Sequence, residues 1–341
     1  SQCCCELLRL MAEPPLFDIP AAVLSGATAD FYFHRTQEIL EAEGLNPVVA
    51  MEIFGQRSGM LCGVLEACQL LKKAHFTGEL WALDEGMPFS GKETAMRIVG
   101  HYRGFGMYET AILGMLASGS GWATAAQECV EAAGDIPVIS FGARHLHPKV
   151  ADVLDYAAIV GGCQTGSTPA GSALRGLAAS GTMPHALILI MGDTVDAACA
   201  FDRHIDPSVA RIVLIDTFHD EVEEAIRVAG ALGDHLWGVR VDTPAERGGV
   251  TPELVIELRA KLDAAGHSSV RLFVSSGLDP VKIRHFRERG APIDGFGVGS
   301  YISGAKPIDF TGDIREIEGR PVAKRGRLPG RQANSRLQRL L

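Results

Sequence analysis

After residue 134 the chain repeats one pattern: a short β-rich run, a polar or glycine-rich turn, then a helical stretch. The runs are Ile136–Ser140, Ala157–Gly161, Ala186–Met191, Arg211–Asp216, Leu236–Val241, Val270–Val274 and Ile293–Val298. Their starts are 21, 29, 25, 25, 34 and 23 residues apart, the length of one strand-loop-helix unit. Helical patterns at Ala151–Tyr156, Glu221–Ala231, Pro252–Ala265 and Pro280–Arg289 fill the gaps. Strands joined by helical crossovers must lie parallel, since a tight turn joins only antiparallel neighbours. Seven such units favour closure into a barrel over an open sheet. In a barrel, the residues just after each strand converge on one face.

The first half reads differently. Thr28–Glu43, Gly59–Lys73 and Glu109–Ser118 carry apolar residues at helical spacing, with a strand-turn segment at Glu79–Glu85. This predicts an α/β region at 12–133, joined by about 304–327, beside an α/β barrel at 134–303. Residues 1–11 and 328–341 are expected to be disordered tails. The first carries Cys3, Cys4 and Cys5, and six basic but no acidic residues lie between Lys324 and Leu341.

Composition narrows the function. The net charge of −9 argues against a nucleic-acid binder, and no apolar run approaches the length of a membrane-spanning helix. The eight cysteines show no paired zinc spacing and fit reduced thiols in a cytoplasmic protein.

The post-strand residues carry the chemistry. "VSSGLDP" and "GFGVGSYIS" place Ser276, Gly277, Gly299 and Ser300 where strands end, so that free backbone N–H groups can cradle a phosphate. Ordinary tight turns have the same composition. In "GVRVDTP", Arg240 and Asp242 share one side of the pleat. That spacing suits an arginine gripping an anion beside an aspartate holding a hydroxyl or metal, and equally an internal salt bridge. Phe141 and Arg144 in "SFGARHLHP" suit stacking and charge pairing with a flat anion, or core packing for the ring. His145 and His147 read as exposed loop histidines. His185, ahead of an apolar run, is an acid, base or phosphoryl-acceptor candidate, although a lone histidine is more often structural.

Taken in order, "TADFYFHRT", "ETAILGML", "SFGARHLHP", "GTMPHALI", "GVRVDTP", "VSSGLD" and "GFGVGSYIS" resemble nicotinate phosphoribosyltransferase, of the type II phosphoribosyltransferases that include the nicotinamide and quinolinate enzymes. The resemblance covers Phe17 to Arg327. It implies an irregular seven-stranded α/β barrel plus an N-terminal α/β domain completed by C-terminal residues.

The implied reaction moves phosphoribose from phosphoribosyl pyrophosphate to the ring nitrogen of nicotinate in NAD biosynthesis or salvage. Mg²⁺ would sit on the pyrophosphate, with ligands left unassigned, and ATP would be a co-substrate. The resemblance also implies a homodimer with its active site at the subunit interface. Tyr32 from one copy and Phe141 from the other would sandwich the base. Arg240 would take the carboxylate, Arg144 the carboxylate or the phosphoribosyl group, and Asp242 the ribose hydroxyls or the metal. Ser276, Gly277, Gly299 and Ser300 would take the 5′-phosphate, and Thr182 would join the substrate-binding set. His185 matches a histidine phosphorylated by ATP.

A nicotinamide site in this family places an aspartate in a "GTDT"-like turn. Here "GCQT" puts Gln164 near that position, which favours a carboxylate-bearing base. Nicotinamide or quinolinate transfer, or a silent mononucleotide sensor on the same fold, are the alternatives. A phosphosugar isomerase or aldolase is disfavoured, because no eighth unit and no strand-end lysine is evident.

Overall fold

A computed structural model of the chain describes residues 17–341, so the expectation for residues 1–11 lies outside the described residues. The strands in chain order are β1 (Val48–Gly55), β2 (Gly59–Met60), β3 (Gly78–Ala82), β4 (Pro88–Phe89), β5 (Thr94–His101), β6 (Val138–Ser140), β7 (Arg211–Leu214), β8 (Leu236–Val241), β9 (Arg271–Val274), β10 (Gly295–Val298), β11 (Phe310–Ile317), β12 (Arg320–Pro321) and β13 (Gln338–Arg339). They fall into two compact units. The first holds the described residues up to Thr124, with Ala173–Leu177 and Ala305–Leu341; the second holds Ala125–Ser172 and Ala178–Gly304.

The first unit is built on a six-stranded antiparallel sheet in the order β12-β11-β1-β5-β3-β13, with β2 and β4 paired beside it. The sequence reading of this half, with three helical stretches and one strand-turn segment, therefore misses its central strands β1 and β5. In β1 seven of eight positions are buried, and β1 also slips register against both neighbours. Burial on both faces erases the period-two alternation that marks a half-exposed strand. The helix expected from Gly59 begins at Val64, because Gly63 has φ 102° and a Cβ there would meet the Met115 carbonyl oxygen at 2.6 Å. Glu85 then accepts hydrogen bonds from the backbone N–H groups of Gly63, Val64 and Leu65, supplying the missing cap. The helix expected over Glu109–Ser118 runs on to Ala133. Side chains at Gly119 and Gly121 would press on the carbonyl oxygens of Cys62, at 3.1 Å, and Lys306, at 2.7 Å, so these glycines serve close packing.

The basic C-terminal stretch is not a disordered tail. Arg331, Arg336 and Arg339 pair with Glu316, Glu93 and Glu79, Leu337 is buried, and β13 extends the sheet on β3. Gln332 donates its N–H to the fully buried Glu52, which is also held by Arg97 and Arg315.

The second unit contains a parallel five-stranded sheet in the order β6-β10-β9-β8-β7. Five of the seven expected strands are present at the expected places. The other two are helical: Ala157–Gly161 belongs to the helix Ala151–Val160 and its cap, and Ala186–Met191 to the helix His185–Met191. Short apolar runs fit a buried strand or a helix equally well, and the alanines of the first favour helix. In place of a second full strand, Thr165 makes a single parallel bridge to Ile139. The crossover helices Glu221–Leu232, Pro252–Ala264 and Pro280–Glu288 are capped by Asp220, Thr251 and Asp279, each accepting from an N–H of its helix's first turn. Among the described residues no helix is long and apolar enough to cross a membrane.

Candidate active site

Parallel strands end on one edge of their sheet, and here that edge gathers the polar residues of the second unit. Phe141 follows β6, Gly299 follows β10, Ser275 and Ser276 follow β9, Asp242 follows β8, and Asp216 lies two residues beyond β7. Arg240 sits on β8 in register with Leu214 and Phe273 of its neighbours.

Arg240 carries the strongest electrostatic statement. Its guanidinium carbon lies 5.3 Å from the Phe141 ring centroid, and its Nε is buried without a hydrogen-bond partner. No ion pair or hydrogen bond joins its side chain to another described residue. Burial pulls its pKa below the usual guanidinium range, the carboxylates of Asp242 and Asp216 oppose that shift, and the charge of Arg144 adds to it. A half-buried cation without a hydrogen-bonded counter-ion makes a place where an anion gains more than in open water. The Phe141 ring packs against Gly297: a Cβ there would be 2.3 Å from Phe141 Cε2 and 2.6 Å from Cδ2.

His185 Nε2 lies 2.9 Å from Asp216 Oδ2. That hydrogen bond raises the histidine pKa, with burial opposing it and the charges of Asp216 and Asp242 assisting. It also fixes the imidazole with Nδ1 directed away from Asp216. Asp216 Oδ1 and Thr217 Oγ1 are buried without partners. Asp242 Oδ1 accepts from Ser275 Oγ at 2.7 Å.

The two phosphate-loop candidates have distinct supports. Ser276 adopts φ 80° and donates its hydroxyl to the Thr243 carbonyl at 3.1 Å. The φ 61° of Gly277 turns the chain sharply, and its carbonyl accepts from Lys282 Nζ at 2.7 Å. Gly299 and Ser300 begin the turn after β10, where a Cβ on Gly299 would meet His145 Cε1 at 2.9 Å.

Several expected residues share no hydrogen bond or ion pair with this group among the described residues. Gln164 is exposed and tied through its backbone N–H to the Val138 carbonyl; Thr182 is half-buried and bonds only the neighbouring Met183 carbonyl. Arg144 is exposed and acts on Arg240 through charge. Tyr32 belongs to the first unit, where its exposed ring starts the helix Phe31–Ala42 and its hydroxyl donates to Asp30 Oδ2 at 3.2 Å. Sequence reasoning placed Asp216 at the end of a β-rich run but gave it no role; its partner lies 31 residues earlier, and only the fold joins them. Asp155 is likewise missed. Fully buried, it accepts from Ser140, Ser167 and Thr168 and so anchors the 165–172 loop.

Comparison with known proteins agrees with this geometry. Residues 30–120 match the quinolinate phosphoribosyl transferase N-terminal domain and residues 122–312 its C-terminal domain. The nicotinate phosphoribosyltransferase pncB2 of Mycobacterium tuberculosis is 32% identical over 242 residues, 70% of this chain and 50% of that protein. The chain thus spans about half the length of the curated relatives it matches. The crystal structure of nicotinate-nucleotide pyrophosphorylase from Pyrococcus furiosus has a TM-score of 0.84 and 43% identity, covering 94% of this chain and 82% of that one. Human nicotinic acid phosphoribosyltransferase, at 17% identity and TM-score 0.71, covers 89% of this chain and 77% of its own, and shares the fold. With both of its domain models matched in order along the chain, and a two-unit α/β structure to go with them, this protein belongs to the quinolinate phosphoribosyl transferase family of type II phosphoribosyltransferases.

Proposed function

We propose that the chain transfers phosphoribose from phosphoribosyl pyrophosphate to the ring nitrogen of nicotinate, giving nicotinate mononucleotide and pyrophosphate. The observation that carries this reading is Arg240: a half-buried guanidinium over an aromatic face, with no carboxylate hydrogen-bonded to it, at the edge of a parallel sheet. A flat heterocycle bearing a carboxylate satisfies the ring and the charge together. The names borne by the mycobacterial and Pyrococcus proteins point the same way.

The pyridine nitrogen has its own lone pair, so its attack on the anomeric carbon needs no general base. The bond to pyrophosphate breaks through an oxocarbenium-like state, as in glycoside cleavage. The protein's part is to hold nitrogen, carbon and leaving group in line. Phe141 supports one face of the base, and Tyr32 of a second copy in a homodimer covers the other. Arg240 holds the carboxylate and Arg144 reaches the anionic substrate. Asp242, steadied by Ser275, takes ribose hydroxyls. Ser276, Gly277, Gly299 and Ser300 take the 5′-phosphate.

Among the described residues no group of three or more His, Cys, Asp or Glu side chains is arranged to hold a metal. A Mg²⁺ ion that arrives on the diphosphate needs only one or two carboxylates. Asp216, with a buried unpartnered oxygen, and Asp242 fit that demand. When bound, the ion neutralises charge on the departing pyrophosphate. His185, oriented by Asp216, is the acceptor for an ATP phosphoryl group at Nδ1, which would couple ATP hydrolysis to synthesis. The described cysteines are all free and four of the five are buried, which suits a cytoplasmic setting.

The influence of Arg144 on Arg240 favours one second reading, a base with two carboxylates such as quinolinate. Pyrophosphate release from phosphoribosyl pyrophosphate and Mg²⁺ separates the cases when nicotinate, nicotinamide and quinolinate are compared, each with and without ATP. Turnover with nicotinate, stimulated by ATP in the wild type and not in His185→Ala, is the expected result. Turnover with quinolinate alone replaces the base assignment. No turnover with any base, beside tight mononucleotide binding, makes the chain a sensor.

A further inference from the structure

His145 belongs to the short loop after β6, and sequence reasoning leaves it as an exposed loop residue. The fold gives it a fixed place. Its Nδ1 lies 2.9 Å from Ser303 Oγ, and its Cε1 edge faces Gly299 so closely that a Cβ on that glycine would come within 2.9 Å. Ser303 is buried at 6% exposure, while His145 itself is open to solvent. The Ser303 hydroxyl has one proton to give, and its three neighbours are Nδ1 at 2.9 Å and the carbonyls of Gly299 and Ser300 at 3.3 and 3.5 Å. Donation to a carbonyl leaves Nδ1–H donating to the hydroxyl oxygen, whereas donation to Nδ1 leaves the ring N–H on Nε2. The second arrangement points a donor away from Ser303. No described residue bonds Nε2.

We propose that His145 is an additional anion-binding residue of the site, presenting Nε2–H to a sugar-phosphate oxygen bound at the Gly299–Ser300 turn, with Ser303 setting the tautomer. This rests on the proposed phosphoribosyl transfer and adds to it a residue that reads the phosphate of the donor. Two features tie the loop to the turn. Phe141 donates its N–H to the Val298 carbonyl at 2.8 Å, and a Cβ on Gly142 would sit 3.2 Å from Ser303 Cβ and 3.3 Å from the Gly299 carbonyl. These contacts place the imidazole beside the phosphate turn. A neutral N–H donating to a phosphate oxygen is a charge-assisted hydrogen bond, among the stronger kinds.

Amide side chains separate this role from packing. Glutamine places its NH₂ near the position of Nε2, whereas asparagine reaches only the Nδ1 position beside Ser303. The variants His145→Gln, His145→Asn, His145→Ala and Ser303→Ala are compared by the KM for phosphoribosyl pyrophosphate at saturating nicotinate, and by calorimetric titration with ribose 5-phosphate, which needs no turnover. His145→Ala and His145→Asn are expected to raise both constants about tenfold or more, the usual cost of one hydrogen bond to a charged group, with kcat changed little. His145→Gln is expected to stay within about threefold of wild type, and Ser303→Ala to fall between. The reverse order, Asn tolerated and Gln harmful, makes His145 a packing residue and overturns the proposal, as do unchanged constants throughout or a wild-type chain that does not bind ribose 5-phosphate. Failure of every base to turn over, beside the expected ribose 5-phosphate series, overturns the assigned reaction and leaves the anion site standing.

Discussion

Glu109 opens the long helix of the first unit and is half-buried among like charges. Burial, followed by the charges of Asp313 and Asp30, lifts its carboxyl from 4.5 to about 7. Asp313 has its own cation, Arg327 at 3.0 Å, and Asp30 is occupied by the hydroxyls of Thr110 and Tyr32, so neither relieves Glu109. Replacing Glu109 with glutamine removes the charge while keeping the shape. Because the folded chain holds this proton more tightly than the unfolded chain, the stabilisation is complete below about 4.5 and is lost as pH rises through about 7. A difference of that size corresponds to about 3 kcal/mol at the upper limit. Solvent reaches part of the carboxyl, and the helix N-terminus favours its anion, which together leave about 1–2 kcal/mol. Urea denaturation of wild type and Glu109→Gln at pH 5, 6.5 and 8 reads this directly. The variant should lie nearest wild type at pH 5, gain on it as pH rises, and exceed it by about 1–2 kcal/mol at pH 8. Equal stability at pH 8, or a variant that is weaker there, refutes the argument from burial and like charge.

Three further perturbations test other parts of the molecule. Arg240→Met removes a half-buried cation without a hydrogen-bonded partner, so it should raise the melting temperature while abolishing measurable nicotinate saturation; a lower melting temperature means the charges of Asp242 and Asp216 satisfy it. Gly297→Ala places a methyl group 2.3 Å from Phe141 Cε2, which must tilt the ring: nicotinate KM should rise about tenfold, stability should fall by about 1–3 kcal/mol, and unchanged nicotinate kinetics remove Phe141 from the base site. Deleting residues from Arg331 onward strips the N–H of Gln332 from buried Glu52 and uncovers the core around Leu337, so thermal unfolding should begin several degrees lower; an unchanged transition shows the strap is dispensable.

How far the sequence reveals this molecule depends on where each residue's partner lies. The strands β7 to β10 are legible because each is a short apolar run ending in a turn and a helix, and the helices after β7, β8 and β9 carry their own capping residues, all within one local stretch. Arg240, Asp242, Ser276 and Gly299 are legible for the same reason, as they sit at the ends of those runs. The central strand β1 is not, because its Glu52 reads as an exposed charge. Its side chain is wholly buried, and the cations that permit this, Arg97 and Arg315, come from strands 45 and 263 residues further along. The C-terminal arginines mislead in the same way: six cations in a row of residues signal solvent until Glu316, Glu93 and Glu79 are seen opposite three of them. Asp216 and His145 are intermediate. Each lies where the strand pattern predicts a mouth residue, yet its task is set by a partner, His185 or Ser303, that only the folded sheet edge brings within 2.9 Å. Local pattern therefore fixes where this chain can do chemistry, while the pairing of distant polar groups fixes which side chains are free to do it.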